Sequence, residues 1–244
     1  MPFMNYGGIL ADSSEAAEAL TRAAIELCSD LKASEIELRD LCSMNSMKAV
    51  DGHQIIERTH KVRMLLDLPA TKDELLKSFK SKLRSQISRP QKEGITAQIG
   101  GAEHIEIFYR VFSINMRDLG SPVHSKRLFQ EIFREFHDRA NICVASYRGV
   151  PVAAGLIFSF RNTVEIPWAS SLRKYNELSP NMLLYWTLLA NSCEQGARYF
   201  DFGRSTPGES TYKFKEQWGA KPWPLHWHNI IVDGKPVPDN QSEK

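Results

Sequence analysis

Cysteine is scarce in this chain of 244 residues, and what there is does not pair. Cys28, Cys42, Cys143 and Cys193 include no Cys-x-x-Cys and stand at no zinc-ligand spacing from a histidine. They read as reduced thiols, which implies a cytoplasmic setting and no structural metal. Long apolar runs are also missing: no stretch approaches the roughly 20 residues a bilayer crossing needs, and the N-terminus lacks the basic-then-apolar pattern of a leader. Charge of one sign is absent too. Thirty-one Lys plus Arg against 29 Asp plus Glu leave +2, too little to announce nucleic-acid binding by the chain as a whole. Any basic site must therefore be local. With 42% hydrophobic and 25% charged residues, the composition excludes disorder and fibres. At roughly 150 residues per domain, the length allows one large domain or two small ones.

What is present is an alternation of helix and strand patterns. Phe3 to Tyr6 is a short apolar segment, and Ser13 or Ser14 caps an amphipathic helix from Glu15 to Leu31. Glu35 to Arg39 alternates like a half-buried strand, residues 42–54 have no period and read as a loop, and His60 to Leu68 is a second strand. One long helix is expected from Thr71 to Lys92, with Thr71 and Glu74 as a capping box. Ile95 to Ile99 reads as a strand, followed by helices over Ala102 to Arg117 and Ser125 to Arg139. Three antiparallel strands follow, Ile142 to Tyr147, Val150 to Phe160 and Thr163 to Ser170, with turns at Arg148-Gly149 and Arg161-Asn162. A helix from Asn181 to Gln195, a strand from Tyr199 to Phe202, a helix from Ser210 to Trp218 and a strand from Pro224 to Val232 complete the order. The polar tail from Asp233 to Lys244 is expected to fray.

Three passages carry candidate chemistry. The first is the basic face of the Thr71–Lys92 segment, where Lys72, Lys77, Lys80, Lys82, Arg84, Arg89 and Lys92 face only Asp73 and Glu74, a solvated face or a platform for phosphates. The second is the loop Leu172-Arg173-Lys174-Tyr175-Asn176-Glu177-Leu178-Ser179-Pro180-Asn181, which leads into a helix whose unpaired amides and dipole favour an anion. Arg173 and Lys174 can meet such an anion, and Asn181 can cap the helix. The third is Tyr199-Phe200-Asp201-Phe202-Gly203-Arg204-Ser205 followed by Thr211-Tyr212-Lys213-Phe214-Lys215-Glu216-Gln217-Trp218-Gly219. Arg204 and Ser205 leave the end of a buried strand, a usual place for ligand contacts in open sheets, although Ser205 could instead simply cap the helix at 210. Asp201 reads as the anchor of a turn. His226 and His228 share one face of the last strand, where a general base is conceivable beside the plainer reading of packed histidines. Of Trp168, Tyr175, Trp218, Trp223 and Trp227, which could line a sugar or lipid site, Trp218 reads as core.

The order of elements from Asn141 to Val232 resembles the GNAT acyltransferase fold, in which a splayed mixed central sheet opens a cleft beside the N-terminus of a helix. Coenzyme A users of that fold have a glycine-containing turn before this helix, and the 172–181 loop has no glycine. The D-F-G strand end and the Y-x-F-K-x-x-W-G helix are similar to the second GNAT unit of FemABX-like transferases, matched by Tyr212, Phe214, Lys215, Trp218 and Gly219. The closer resemblance is to FemAB-like proteins of exosortase (PEP-CTERM) and exopolysaccharide loci, through Phe200 to Ser205, Leu119 to Val123 and Asn181 to Trp186.

The resemblance implies an α/β (α+β) chain: a partial N-terminal GNAT-like lobe over 1–70, a C-terminal acyltransferase domain over 71–232 and a tail over 233–244. It implies that Lys215 stabilises charge as an acceptor amine or hydroxyl attacks an activated acyl ester or thioester, with Phe214 packed beside it. Arg173, Lys174, Asn181, Arg204, Ser205 and Tyr212 are the candidate donor-binding residues. No tightly bound cofactor is expected; acyl-CoA or aminoacyl-tRNA is the donor, the tRNA held by the basic Lys72–Lys92 face, and the acceptor is a cell-envelope, peptidoglycan or exopolysaccharide precursor. Fem-like proteins carry two GNAT units, and this chain matches from within the first. An open sheet edge in the N-terminal lobe is therefore expected, bare or covered by a second copy in a homodimer. The competing function class is a noncatalytic binding or scaffold protein that keeps the fold without a complete site.

Overall fold

A computed structural model describes residues 4–44 and 49–232. Phe3 and the 233–244 tail lie outside the described residues. Two compact units divide the described residues, one comprising 4–44, 49–63, 204–209 and 222–232, the other 64–203 and 210–221.

In the first unit, helix α1 (Ser14–Asp30) starts where Ser13 Oγ accepts from the Ala16 N–H at 3.1 Å, as the cap residues imply. Its strands are β1 (Glu35–Asp40), β2 (Ala49–Val50), β3 (His53–Arg58) and β11 (His226–Ile231). They form a sheet of order β1-β11-β3-β2. Ile25 of α1 joins Val50, Ile55 and Ile230 in the core of this unit. Two expectations change here. Residues 42–54, expected as a loop, contain β2 and the start of β3, whose alternation is masked by the polar residues at 51, 53 and 54. The final strand leaves the C-terminal segment altogether, because β11 pairs antiparallel with both β1 and β3. The 4–10 segment forms no strand beyond a single bridge between Gly7 and Arg39.

The second unit contains strands β5 (Ile95–Gly100), β6 (Ala140–Tyr147), β7 (Val150–Phe160) and β8 (Thr163–Ser171) whole, most of β4 (Val62–Asp67) and β9 (Tyr199–Ser205), and the first residue of β10 (Lys221–Pro224). They build a seven-stranded sheet of order β10-β4-β9-β8-β7-β6-β5. The expected three-stranded meander is present as β6 to β8, which pair antiparallel in succession, and β5 extends it by pairing antiparallel with β6. Helices α4 (Ile105–Leu119) and α5 (Lys126–Phe136) bring Phe108, Phe112 and Phe129 into one aromatic cluster with Trp168 of β8. Helix α6 (Pro180–Glu194) packs on β5 to β8, and it lies so close to β7 that a Cβ on Gly155 would stand 3.3 to 3.5 Å from Ile166, Leu184 and Leu188.

The single helix expected from Thr71 to Lys92 is two helices, α2 (Lys72–Ser78) and α3 (Ser81–Lys92). Thr71 caps the first as expected, its hydroxyl accepting from Glu74 N–H at 3.2 Å. The break lies at Phe79, which is extended with ψ 143 and turns its ring edge-on to Trp186 and Trp218. Burying that ring outweighs continuation of the helix, and Arg84 Nη1 donates to the Phe79 carbonyl at 3.1 Å. Helix α7 (Ser210–Glu216) completes the unit.

Candidate functional site

Parallel pairing joins β8 to β9, and it stops early. Thr163 faces Tyr199, Val164 faces Phe200 and Glu165 faces Asp201, and the paired stretch ends there. Past that point β8 continues against β7, through Ala169 opposite Gly155 and Ser171 opposite Ala153. Beside this stretch is a cavity of about 160 Å³, lined by Ala169, Ser170, Ser171, Asn181, Leu184, Tyr185 and Phe214.

Each wall has a local cause. The alternation of β8 turns Val164, Ile166, Trp168 and Ser170 inward, so a polar residue ends the buried face. Ser170 Oγ accepts from Asn115 Nδ2 of α4 at 3.2 Å. Asn181 enters from α6, but not as its cap: Ser179, at φ 52, holds the cap position without a side-chain hydrogen bond, and Pro180 is the first helical residue. Tyr185 follows one turn later. Its ring stacks on Phe202 at 5.7 Å and meets Phe214 edge-on at 5.0 Å, and burial pushes its phenol well above the ordinary value.

Phe214 and Lys215 are consecutive on α7 and turn to different partners. Phe214 lines the cavity, while Lys215 Nζ donates to the Gly203 carbonyl at 3.2 Å. That carbonyl is placed by the D-F-G sequence: buried Asp201 accepts the Gly203 N–H at 2.8 Å, and Gly203 has φ 72. Asp201 thus anchors a turn, as expected, within a strand.

The remaining candidates are distributed differently. Arg173 and Lys174 sit exposed on a 3-10 turn spanning Arg173–Leu178, Lys174 Nζ 5.7 Å from the Tyr175 ring, and neither lines the cavity. Tyr212 is half-buried on α7 and does not line it either. Arg204 and Ser205 belong to the first unit, where Arg204 lies 5.3 Å and Arg39 4.5 Å from the Trp227 ring. Ser205 is the last residue of β9, so it caps no helix.

The two histidines of β11 do share a face, and each meets a carboxylate. His226 Nδ1 pairs with Glu57, and buried His228 donates from Nδ1 to Asp40 at 2.8 Å while its Nε2 faces the Met44 N–H at 3.4 Å. The His226 hydrogen bond, with a second from Ser43, holds the Glu57 carboxyl below its usual range. Trp218 is fully buried, as expected of core. Sequence reasoning missed Asn115, Ser170, Leu184 and Tyr185. Only Leu184 and Tyr185 had a signal, since they stand inside the Asn181 to Trp186 passage; Asn115 and Ser170 are 55 residues apart and meet only in the fold.

A second, larger hollow of about 1000 Å³ opens at the break between α2 and α3. Leu66, Leu75, Phe79, Leu83 and Trp218 form its apolar part, with Lys80, Lys82, Lys213 and Lys221 against Asp67, Glu74 and Glu216 among its charged residues. Two members of the expected basic face are otherwise engaged: Lys72 pairs with Glu194 at 2.5 Å, and Arg84 bonds backbone carbonyls. Among the described residues, no group of three or more His, Cys, Asp or Glu is placed to hold a metal ion. No helix among them is long and apolar enough to cross a membrane.

The sequence profile described as "Acetyltransferase (GNAT) domain" matches residues 77–215. No curated protein matches the chain in sequence. Among solved structures, FemX is 14% identical over 96% of this chain and 83% of its own, with a TM-score of 0.70. L-PGS from Bacillus licheniformis is 14% identical over 92% and 76%, with a TM-score of 0.63. A tandem GNAT protein from the clavulanic acid biosynthesis pathway is 13% identical over 93% and 73%, with a TM-score of 0.55. At these identities the likeness is one of fold: a mixed sheet flanked by helices, as expected of a GNAT-like chain.

Proposed function

The chain belongs to the family of acetyltransferase (GNAT) domains, and from that premise we propose that it is an acyl or aminoacyl transferase of the Fem type. The observation that carries this reading is the convergence of Phe214, Asn181 and Tyr185 on one cavity where the β8–β9 ladder has ended, with Lys215 tied to the strand that leaves it. The acyl carbonyl of the donor lies at this opening. An acceptor amine or hydroxyl attacks it, the new C–N or C–O bond forms, and the thiol or ribose hydroxyl departs with the acceptor's proton. Lys215 stabilises the oxyanion in between, a task that needs position and charge more than a strong base.

In this reading the donor is acyl-CoA or aminoacyl-tRNA, and the acceptor is a precursor of the cell envelope, of peptidoglycan or of an exopolysaccharide of the kind served by exosortase-associated relatives, met in the cytoplasm. The fold likeness to FemX supports the aminoacyl version, as does the lack of glycine between Leu172 and Asn181. For a tRNA donor, Lys80, Lys82 and Lys213 around the larger hollow engage the phosphates, in place of the continuous cationic helix face expected from the sequence. Asn181 assists at the donor's polar end; Arg173, Lys174, Arg204, Ser205 and Tyr212 are secondary candidates. A second copy covering a sheet edge of the first unit belongs to the same proposal.

Thermal shift of the full chain with acetyl-CoA, free CoA and an aminoacylated tRNA acceptor-stem analogue tests it. A true donor at 100 times its Kd should stabilise the protein by about 2.7 kcal/mol. Stabilisation by none of them counts against the enzyme and favours the noncatalytic scaffold.

A further inference from the structure

We propose that Asp201 is a positioning residue for Lys215, acting through the peptide of Gly203; the inference rests on the role given to Lys215 above. Asp201 is fully buried, a costly place for a carboxylate unless its oxygens are occupied. It stands on the last rung of the β8–β9 ladder, opposite Glu165. One step further, a continuing ladder would draw the backbone of Phe202 and Gly203 toward β8. Instead Asp201 Oδ1 takes the Gly203 N–H at 2.8 Å, a side-chain turn within its own strand. Gly203 adopts φ 72, which glycine reaches without the steric cost other residues meet. The peptide so rotated presents its carbonyl to α7, where Lys215 Nζ donates to it at 3.2 Å. A lysine on a flexible four-carbon stem is thereby fixed at the place where the two strands part. The D-F-G sequence does two things at once: its aspartate ends the ladder, opening the sheet, and its glycine carbonyl holds the cation that serves the opening.

The test reads Lys215 without any substrate. In full-length protein labelled with [ε-13C]lysine, the signal that disappears in Lys215→Arg identifies that of Lys215. Asp201→Ala is expected to move this signal to the position of exposed lysines such as Lys213. Asp201→Asn, whose amide oxygen can still accept the Gly203 N–H, is expected to leave it in place. Should Asp201→Ala not fold, Gly203→Ala, which sets a side chain on a positive φ, is expected to cause the same movement. An unmoved signal in the folded variant overturns the proposal, as does equal movement in Asp201→Asn and Asp201→Ala. With a donor and acceptor in hand, Asp201→Ala is expected to lower kcat about 10- to 100-fold with KM within about twofold, and Asp201→Asn to restore most of it. An unchanged kcat contradicts the proposal. Absence of transfer by the wild type would count against the proposed function while leaving the lysine measurement valid.

Discussion

His60, His124 and Glu57 make the protein sensitive to acid, and they act in the same direction. His60 and His124 are held below the ordinary histidine value of 6.5 first of all by burial, with Lys61 and Arg58 adding to the effect at His60. A histidine whose folded pKa is depressed binds fewer protons folded than unfolded, so stability is lost as pH falls below about 6.5. Glu57 is depressed from 4.5 chiefly by its hydrogen bond from His226; its contribution is present above that value and is lost as pH falls through its folded pKa. The melting temperature should therefore fall in two stages on acidification, the first below about pH 6.5 and the second below about pH 4.5. His124→Phe should flatten the first stage and Glu57→Gln the second. A melting temperature that rises between pH 7 and pH 5 would contradict these assignments.

At the scale of elements, the fork between β8 and β9 and the break between α2 and α3 each stand beside one of the two hollows described above. Both have named causes, but only one was legible beforehand. The Asp201-Phe202-Gly203 turn and the Phe214-Lys215 helix stand out as motifs, and the antiparallel meander shows in its alternation and its paired turns. The helix break does not. Lys72 to Lys92 keeps a helical apolar stripe throughout, and Phe79 leaves the helix only because Trp186 and Trp218, more than a hundred residues away, offer it a partner. The same reason hid β3, whose inward residues become apparent only once β11 lies beside it. The Asn115–Ser170 pair, too, exists only in three dimensions. Phe79→Ala removes a ring buried to 6% exposure and should cost about 3 to 5 kcal/mol in urea unfolding. A loss below about 1 kcal/mol would mean that the ring does not set the break.

At the scale of the whole molecule, a net charge of +2 conceals local basic groups, and their use separates the two donor classes. If tRNA is the donor, Lys80→Glu with Lys82→Glu should weaken its binding and reduce the salt slope by roughly one unit for each phosphate no longer neutralised. Acyl-CoA turnover should be indifferent to the same pair. Size-exclusion chromatography with light scattering checks the second-copy proposal, a dimer at micromolar concentration being the expected result and a monomer the contrary one. The claim on which all of this depends is that acyl transfer occurs at the fork and is served by Lys215. It is tested most directly by the initial rate of transfer to an acceptor amine from the donor that stabilises the protein, comparing wild type with Lys215→Ala. A fall of about 10²- to 10³-fold in kcat, with KM and melting temperature unchanged, is the expected result; equal rates would contradict it.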